Sequence, residues 1–417
     1  MNNQVATRGR SRGKIRLIML AATAGTVLAA CGSSASATSK SVSSTSQAGL
    51  APYVMHAIVS ETGSGSFLGS EEAKSLQTLA KQVNASGGID GHPLQMDIKD
   101  NQSSPATAVS LATSLISSGV PFLLNGSIVA ADKAVDALAT ANGPFIYDLS
   151  PGVHPAAGSM IFSSGLSTTD QVEAGLSFLQ SKGLTNIAAM TSTDATGADG
   201  LAQLKKALAL PQFSSIHLLT EQTFDPGAVS VDAQMSVIKA DNPQALIIWT
   251  TGTPFGTVLS AMSSLGMKSL PTLTTDGNAQ YPELIHLKST MVNTLYFPTP
   301  VFYLPQSDIT NPAIKAQVAA LHTAVASTGD KVNTSWGLSW GPAQLLIAAV
   351  KKIGVSATAK QIQSYMENLH NVPSVWGFYN TSVSDHRGLS MSDIHMTDWN
   401  GSSFVSVSSA GSPSSAG

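Results

Sequence analysis

Cysteine is nearly absent: Cys31 is the single one in 417 residues, so the chain has no disulfide and no paired-thiolate metal site. Nine histidines are scattered without an H-E-x-x-H spacing, which removes the commonest zinc signature. Gly63-Ser64-Gly65-Ser66 is glycine-rich, yet it has neither a Walker lysine nor a G-x-G-x-x-G pattern, so no nucleotide and no other cofactor is expected. Cations are scarce as well. Five of the 22 Lys and Arg residues (Arg8, Arg10, Arg12, Lys14 and Arg16) precede residue 17, and the 17 left face 25 acidic residues, a balance of about −8 that argues against nucleic acid as a partner. The apolar run Leu17 to Ala30 has 14 residues, short of the roughly 20 needed to cross a bilayer.

What stands at the end of that run is informative. Leu28-Ala29-Ala30-Cys31 places the lone cysteine directly behind a small-residue cleavage site, after a basic leader and a short apolar segment. This reads as a lipoprotein box: 1–30 a signal peptide, Cys31 the lipid attachment point, and 31–50 a Ser/Ala/Thr tether too polar to bury apolar area. The anchor is expected on the outer face of the cytoplasmic membrane, and the Ser/Gly/Ala/Pro tail 408–417 is expected to be disordered.

The ~360 residues between exceed what one core usually serves, so two lobes are expected. Short apolar runs alternate with helix-period segments, the pattern of β-α units on a parallel sheet. Tyr53 to Val59, Leu94 to Ile98, Phe122-Leu123-Leu124, Phe145-Ile146-Tyr147, Ile187 to Met190, Ile216 to Leu219 and Leu246 to Trp249 read as strands. A helix is expected from Ser70, with Glu71 and Glu72 in its first turn, to Gly87-Gly88; another follows the Ser104-Pro105 cap. The fold class is therefore α/β, with two doubly wound Rossmann-like lobes and ligands outside the carboxyl ends of the strands.

One enzymatic pattern competes. Gly337-Leu338-Ser339-Trp340-Gly341 matches a nucleophile elbow, with Asp385 and His386 in hydrolase order. An elbow needs a buried strand before its serine, whereas residues 328–335 are polar and turn-prone; the motif reads better as the start of a helix running to Ile353, and no enzymatic activity is expected. Asp385-His386 reads as part of a surface turn ending at Gly388.

Asn84-Ala85-Ser86-Gly87-Gly88-Ile89-Asp90-Gly91-His92-Pro93-Leu94, then Lys99 to Pro105 and the helix after it, closely resemble the opening of the type I solute-binding proteins, the branched-chain amino-acid binding family of ABC transporters. The resemblance continues at Gly126-Ser127, Ser150-Pro151-Gly152, Thr196-Gly197, Gly252 and Asp385-His386-x-Gly388. It implies lobes made of 51–163 plus 299–393 and of 164–298 plus 394–407, joined by three crossovers near Phe162 to Gly165, Phe297 to Pro300 and Ile394, closing like a hinge on a small polar solute. It also implies an ABC permease as partner and a monomeric binder. Carried over by position, Ser66 and Phe67 match the first contact loop, Ser127 the second, and Gly152 to His154 the third. Thr196, Thr251 and Asp276 match the second lobe's contacts, Asp276 falling where an acid holds a ligand ammonium. Ile128-Val129 replace hydroxyl residues and His154 a small one, so a ligand other than a free α-amino acid also fits the pattern. A sensor ectodomain is the alternative within the same fold.

Overall fold

A computed structural model describes residues 50–407; Cys31, the tether before residue 50 and the tail from 408 lie outside the described residues. In chain order the first strands and helices are β1 (Tyr53–Val59), α1 (Ser66–Ala85), β2 (Leu94–Asp100), α2 (Pro105–Ser117), β3 (Phe122–Asn125), α3 (Val129–Asp136), β4 (Phe145–Asp148) and β5 (Ile161–Ser163). These strands form one parallel sheet in the order β2-β1-β3-β4-β5. Helices cover both faces, which is why β3 and β4 are buried at every position and read as unbroken apolar runs.

The chain then crosses to a second sheet through α4 (Thr168–Ser181), β6 (Asn186–Ser192), α5 (Ala195–Leu208), β7 (His217–Phe224), α6 (Asp232–Ala240), β8 (Ala245–Trp249), α7 (Thr253–Ser264), β9 (Thr272–Thr274), α8 (Tyr281–His286) and β10 (Leu295–Thr299). Next, α9 (Pro312–Ala326), α10 (Thr334–Ile353) and α11 (Ala359–Met366) return to pack on α1 and β4. The hairpin β11 (Val372–Pro373) and β12 (Phe378–Tyr379) follows, and β13 (His395–Trp399) with β14 (Phe404–Ser406) completes the second sheet in the order β14-β13-β10-β9-β8-β6-β7. Strands β6 to β10 are parallel, while β13 and β14 run antiparallel at the edge. The core order β7-β6-β8-β9-β10 repeats the 2-1-3-4-5 pattern of the first sheet, so each lobe has a switch point, β1/β3 in one and β6/β8 in the other.

Helix α1 begins at Ser66, four residues before the expected Ser70, and the hydroxyl of Ser70 bonds its own helix at Ser66 O rather than capping it. The reason is close packing at the end of β1. A Cβ on Gly69 would lie 2.2 Å from the carbonyl oxygen of Ser60, so only glycine lets this turn seat there. The second lobe repeats the device: a Cβ on Gly197, in the first turn of α5, would lie 2.0 Å from Ser192 O. Helix α2 starts as expected, with Ser104 accepting from the Thr107 amide at 3.2 Å and Pro105 in the first turn.

Candidate functional site: the cleft between the lobes

The loops after β3, β4, β6, β8 and β9 converge at the carboxyl ends of both sheets and enclose a cavity of about 50 Å³. The first lobe lines it with Leu68, Ser127, Ile128, Val129, Ser150 to Gly152 and Leu338, the second with Thr168, Thr196, Asp199, Trp249, Thr251, Thr275 and Gly277. A larger space of about 400 Å³ adjoins it, sharing Ile128, Val129, Thr196 and Thr251 and adding Phe67 and Asp194. Five expected contact residues thus stand on these walls: Phe67, Ser127, Gly152, Thr196 and Thr251. Ser66, His154 and Asp276 do not.

Ser127 is held from behind. Its hydroxyl donates to Oε2 of Glu72 and accepts from the Ser60 amide at 3.1 Å, so its proton is turned inward. Glu72 is no first-turn surface acid: it lies one turn after Leu68 and one before Leu76 on the buried face of α1, and is wholly buried. Burial pushes its carboxyl up to about 8, partly offset by the Ser127 hydrogen bond. From the sequence Glu72 is expected only as a first-turn acid, although it stands four residues before Leu76 on the same helix face.

His154 serves the cleft at its rim, where Nε2 meets Oδ1 of Asp199 across the lobes at 2.9 Å. The same oxygen accepts from Gln203 Nε2 at 3.0 Å. Burial raises the Asp199 carboxyl, but hydrogen bonds from His154, Gln203 and Thr168 outweigh it and hold the group below the usual carboxylate range. Asp199 follows Thr196 by three residues on α5, hence on the same helix face. Across the mouth, Phe67 packs on Gly252, whose backbone has φ +71°.

Asp276 is fully buried, with its neighbours Thr275 and Gly277 on the wall and its own carboxyl beside Gln171 and Thr275. Burial pushes it up to about 7, against the lowering effect of those hydrogen bonds.

Asp385 is exposed and closes a turn with Ser382, as expected of a surface turn, but His386, Arg387 and Gly388 after it are buried. His386 stacks on Phe162 at 4.2 Å and is hydrogen-bonded to Ile161 O and Glu367 Oε1. Arg387 is buried, and its guanidinium donates to four backbone carbonyls, those of Ser164 and Gly165 at the first crossover and of Pro151 and Val153 around Gly152. The fork of Arg387 and the ring of His386 replace water as partners of these groups, which explains why the segment is drawn inward. Ser339 lies inside α10, fully buried, its hydroxyl directed at Ser335 O and Glu72 O, with no strand before it and neither Asp385 nor His386 bonded to it. Among the described residues there is no cluster able to hold a metal ion and no helix long and apolar enough to cross a membrane.

Two doubly wound lobes facing each other over a cavity walled by apolar side chains and a few hydroxyls define a two-lobed ligand-binding protein. A family model for periplasmic binding proteins matches residues 57–403, and the chain belongs to that family. No curated protein matches the sequence. Among solved structures, an extracellular ligand-binding receptor from Rhodopseudomonas palustris HaA2 aligns at TM-score 0.76 and 18% identity, over 86% of this chain and 100% of its own. A branched-chain amino acid transporter substrate-binding protein from Streptococcus pneumoniae, in complex with isoleucine, aligns at 0.69 and 17%, over 85% and 100%. An ABC transporter solute-binding protein from R. palustris, in complex with benzoate, aligns at 0.72 and 16%, over 86% and 96%. The shared property at these identities is the fold.

Proposed function

We propose that the chain is the extracytoplasmic substrate-binding protein of an ABC importer, tethered to the membrane through a lipid on Cys31, and that it captures a small polar solute by closure of its two lobes. The observation that carries this reading is the cavity at two facing switch points, lined from both sides and bridged at its rim by Phe67 on Gly252 and His154 on Asp199. Walls built from loops after parallel strands move with their lobes, so opening exposes the site and closing buries the solute. Phe67, Ser127, Gly152, Thr196 and Thr251 contact the solute in this reading, while Ser66, His154 and Asp276 support the walls. Amino acids and small organic or aromatic acids are the first solutes to test, since relatives of the fold were solved with isoleucine and with benzoate. A thermal-shift screen of those classes should find a compound that raises the melting temperature in a concentration-dependent way. No stabilisation by any of them would refute solute capture. For the anchor, mass spectrometry of the native protein should find an acylated Cys31 as its first residue, and an unmodified N-terminus there would refute it.

A further inference from the structure

A groove of about 490 Å³ runs between α1, α9, α10 and the end of β11, and it shares no lining residue with the cleft between the lobes. Its size suits a small molecule and its walls are mostly apolar, with Leu79 and Val83 from α1, Leu345 from α10, and Val372 and Pro373 from β11. The charge on them is of one sign. Lys351, in the last turn of α10, is the only ionisable residue lining the groove, and it has no acidic partner among the described residues. Along α10, Gly341, Gln344, Leu345, Ala348 and Lys351 recur at three- and four-residue spacing, so they form one stripe about 15 Å long. At the Gly341 end Ser374 is buried, and its hydroxyl has no hydrogen-bond partner. A Cβ on Gly341 would lie 3.4 Å from that oxygen, so the missing side chain leaves the floor open beside it. Midway, Gln344 Nε2 stands 3.5 Å from Gln317 Oε1, the outer limit of a hydrogen bond, which leaves both amides able to turn toward a ligand.

We propose that this groove is a second binding site, taking an elongated organic anion whose acid group meets Lys351 and whose apolar body lies along Ala348 and Leu345 toward Ser374. Charge complementarity selects this occupant. An alkylammonium would meet Lys351 as a like charge, and no carboxylate on the walls would offset the repulsion. A neutral hydrocarbon would leave the ammonium, the amides and the Ser374 hydroxyl with nothing to bond. Because α1, α9, α10 and β11 pack on one another, the site does not depend on closure of the lobes and stands apart from solute capture.

The test is isothermal titration of the full chain with decanoate, decylammonium and acetate, the first two below their micelle concentrations. Decanoate should bind with a Kd below about 1 mM and decylammonium roughly 10-fold more weakly, since an attraction becomes a repulsion, while acetate, lacking the apolar body, should not register. Lys351→Gln should weaken decanoate roughly 3- to 5-fold, and Lys351→Glu should reverse the order of decanoate and decylammonium. Ala348 is exposed, so in Ala348→Trp the indole covers the groove without entering the core, and decanoate binding should fall by roughly 10-fold or more with the melting temperature little changed. Equal binding of decanoate and decylammonium, or no binding of decanoate, would overturn the proposal while leaving solute capture intact. Undiminished decanoate binding in Ala348→Trp would overturn it too, by moving the ligand to the cleft. Self-association of the wild type that Ala348→Trp abolishes would make the occupant a second copy and likewise overturn it. If Ala348→Trp does not fold, the order of the two probes in Lys351→Glu decides.

Discussion

Closure can be opposed at a single contact. Phe67 belongs to the first lobe and Gly252 to the second, and a Cβ on Gly252 would sit 2.5 Å from Cε1 of the Phe67 ring, closer than real Cβ contacts come. Gly252→Ala therefore adds two separable effects. The φ of +71° strains an alanine in open and closed forms alike, on the order of 1–3 kcal/mol, and lowers the melting temperature of the unliganded protein. The clash exists only when the lobes meet, and overpacking of this kind costs about 1–3 kcal/mol. It therefore weakens solute binding roughly 5- to 150-fold. Removing the ring should remove the clash, so Phe67→Ala/Gly252→Ala should bind no worse than Phe67→Ala alone while keeping the lowered melting temperature. Affinity can be followed through Trp249, on the cavity wall, and lobe separation by small-angle scattering. If the two substitutions instead lower affinity independently, the Phe67 contact is not a closing contact and the reasoning fails.

Three further outcomes are expected. Glu72 has a carboxyl raised from an ordinary 4.5 to about 8, so the folded chain holds an extra proton between those values and loses stability as pH rises through them, by up to about 1.4 kcal/mol per pH unit. Glu72→Gln should flatten the decline in melting temperature from pH 5 to pH 8, and an equal decline in both proteins would contradict the assignment. Arg387→Met strips four buried carbonyls of their donors and should destabilise by about 3 kcal/mol or more, with Arg387→Lys recovering only part because an ammonium cannot reproduce the fork; chemical denaturation that finds less than about 1 kcal/mol would refute this. Ser339→Ala should alter stability by no more than about 1 kcal/mol, and the wild type should not react with a fluorophosphonate; labelling at Ser339 would reopen the hydrolase reading.

The fold was legible because its signals are local and repeated. Tyr53 to Val59 is the first strand to the residue, Ser104-Pro105 opens α2, and the G-x-S-x-G segment lies inside the helix that ends at Ile353. Ser127, Gly152, Thr196 and Thr251 were named through the family resemblance, whose matching positions fall on loops or helix starts after strands. The groups that tune those loops were not. Glu72 and Asp199 sit on helices, where a polar residue on a buried face looks like any solvated one until its partners are known. Asp276 shows the converse, a residue at a loop position whose flanking residues reach the wall while its carboxyl stays behind it. Arg387 passed as the variable position of Asp385-His386-x-Gly388, since nothing local reveals that its partners lie more than two hundred residues earlier.

Arg387 has a consequence for the setting in which a periplasmic binding protein works. Its guanidinium is solvated by carbonyl dipoles rather than hydrogen-bonded to a carboxylate, Asp170 and Asp385 act on it only through space, and it is buried. A guanidinium held this way neither titrates in any habitable pH nor feels the Debye screening that weakens a surface ion pair. The joint where the first crossover meets the Gly152 loop should therefore keep one stiffness from fresh water to brine and from acid to alkali. A protein outside the cytoplasm meets those swings without a buffer around it, and this joint is insulated from them by construction.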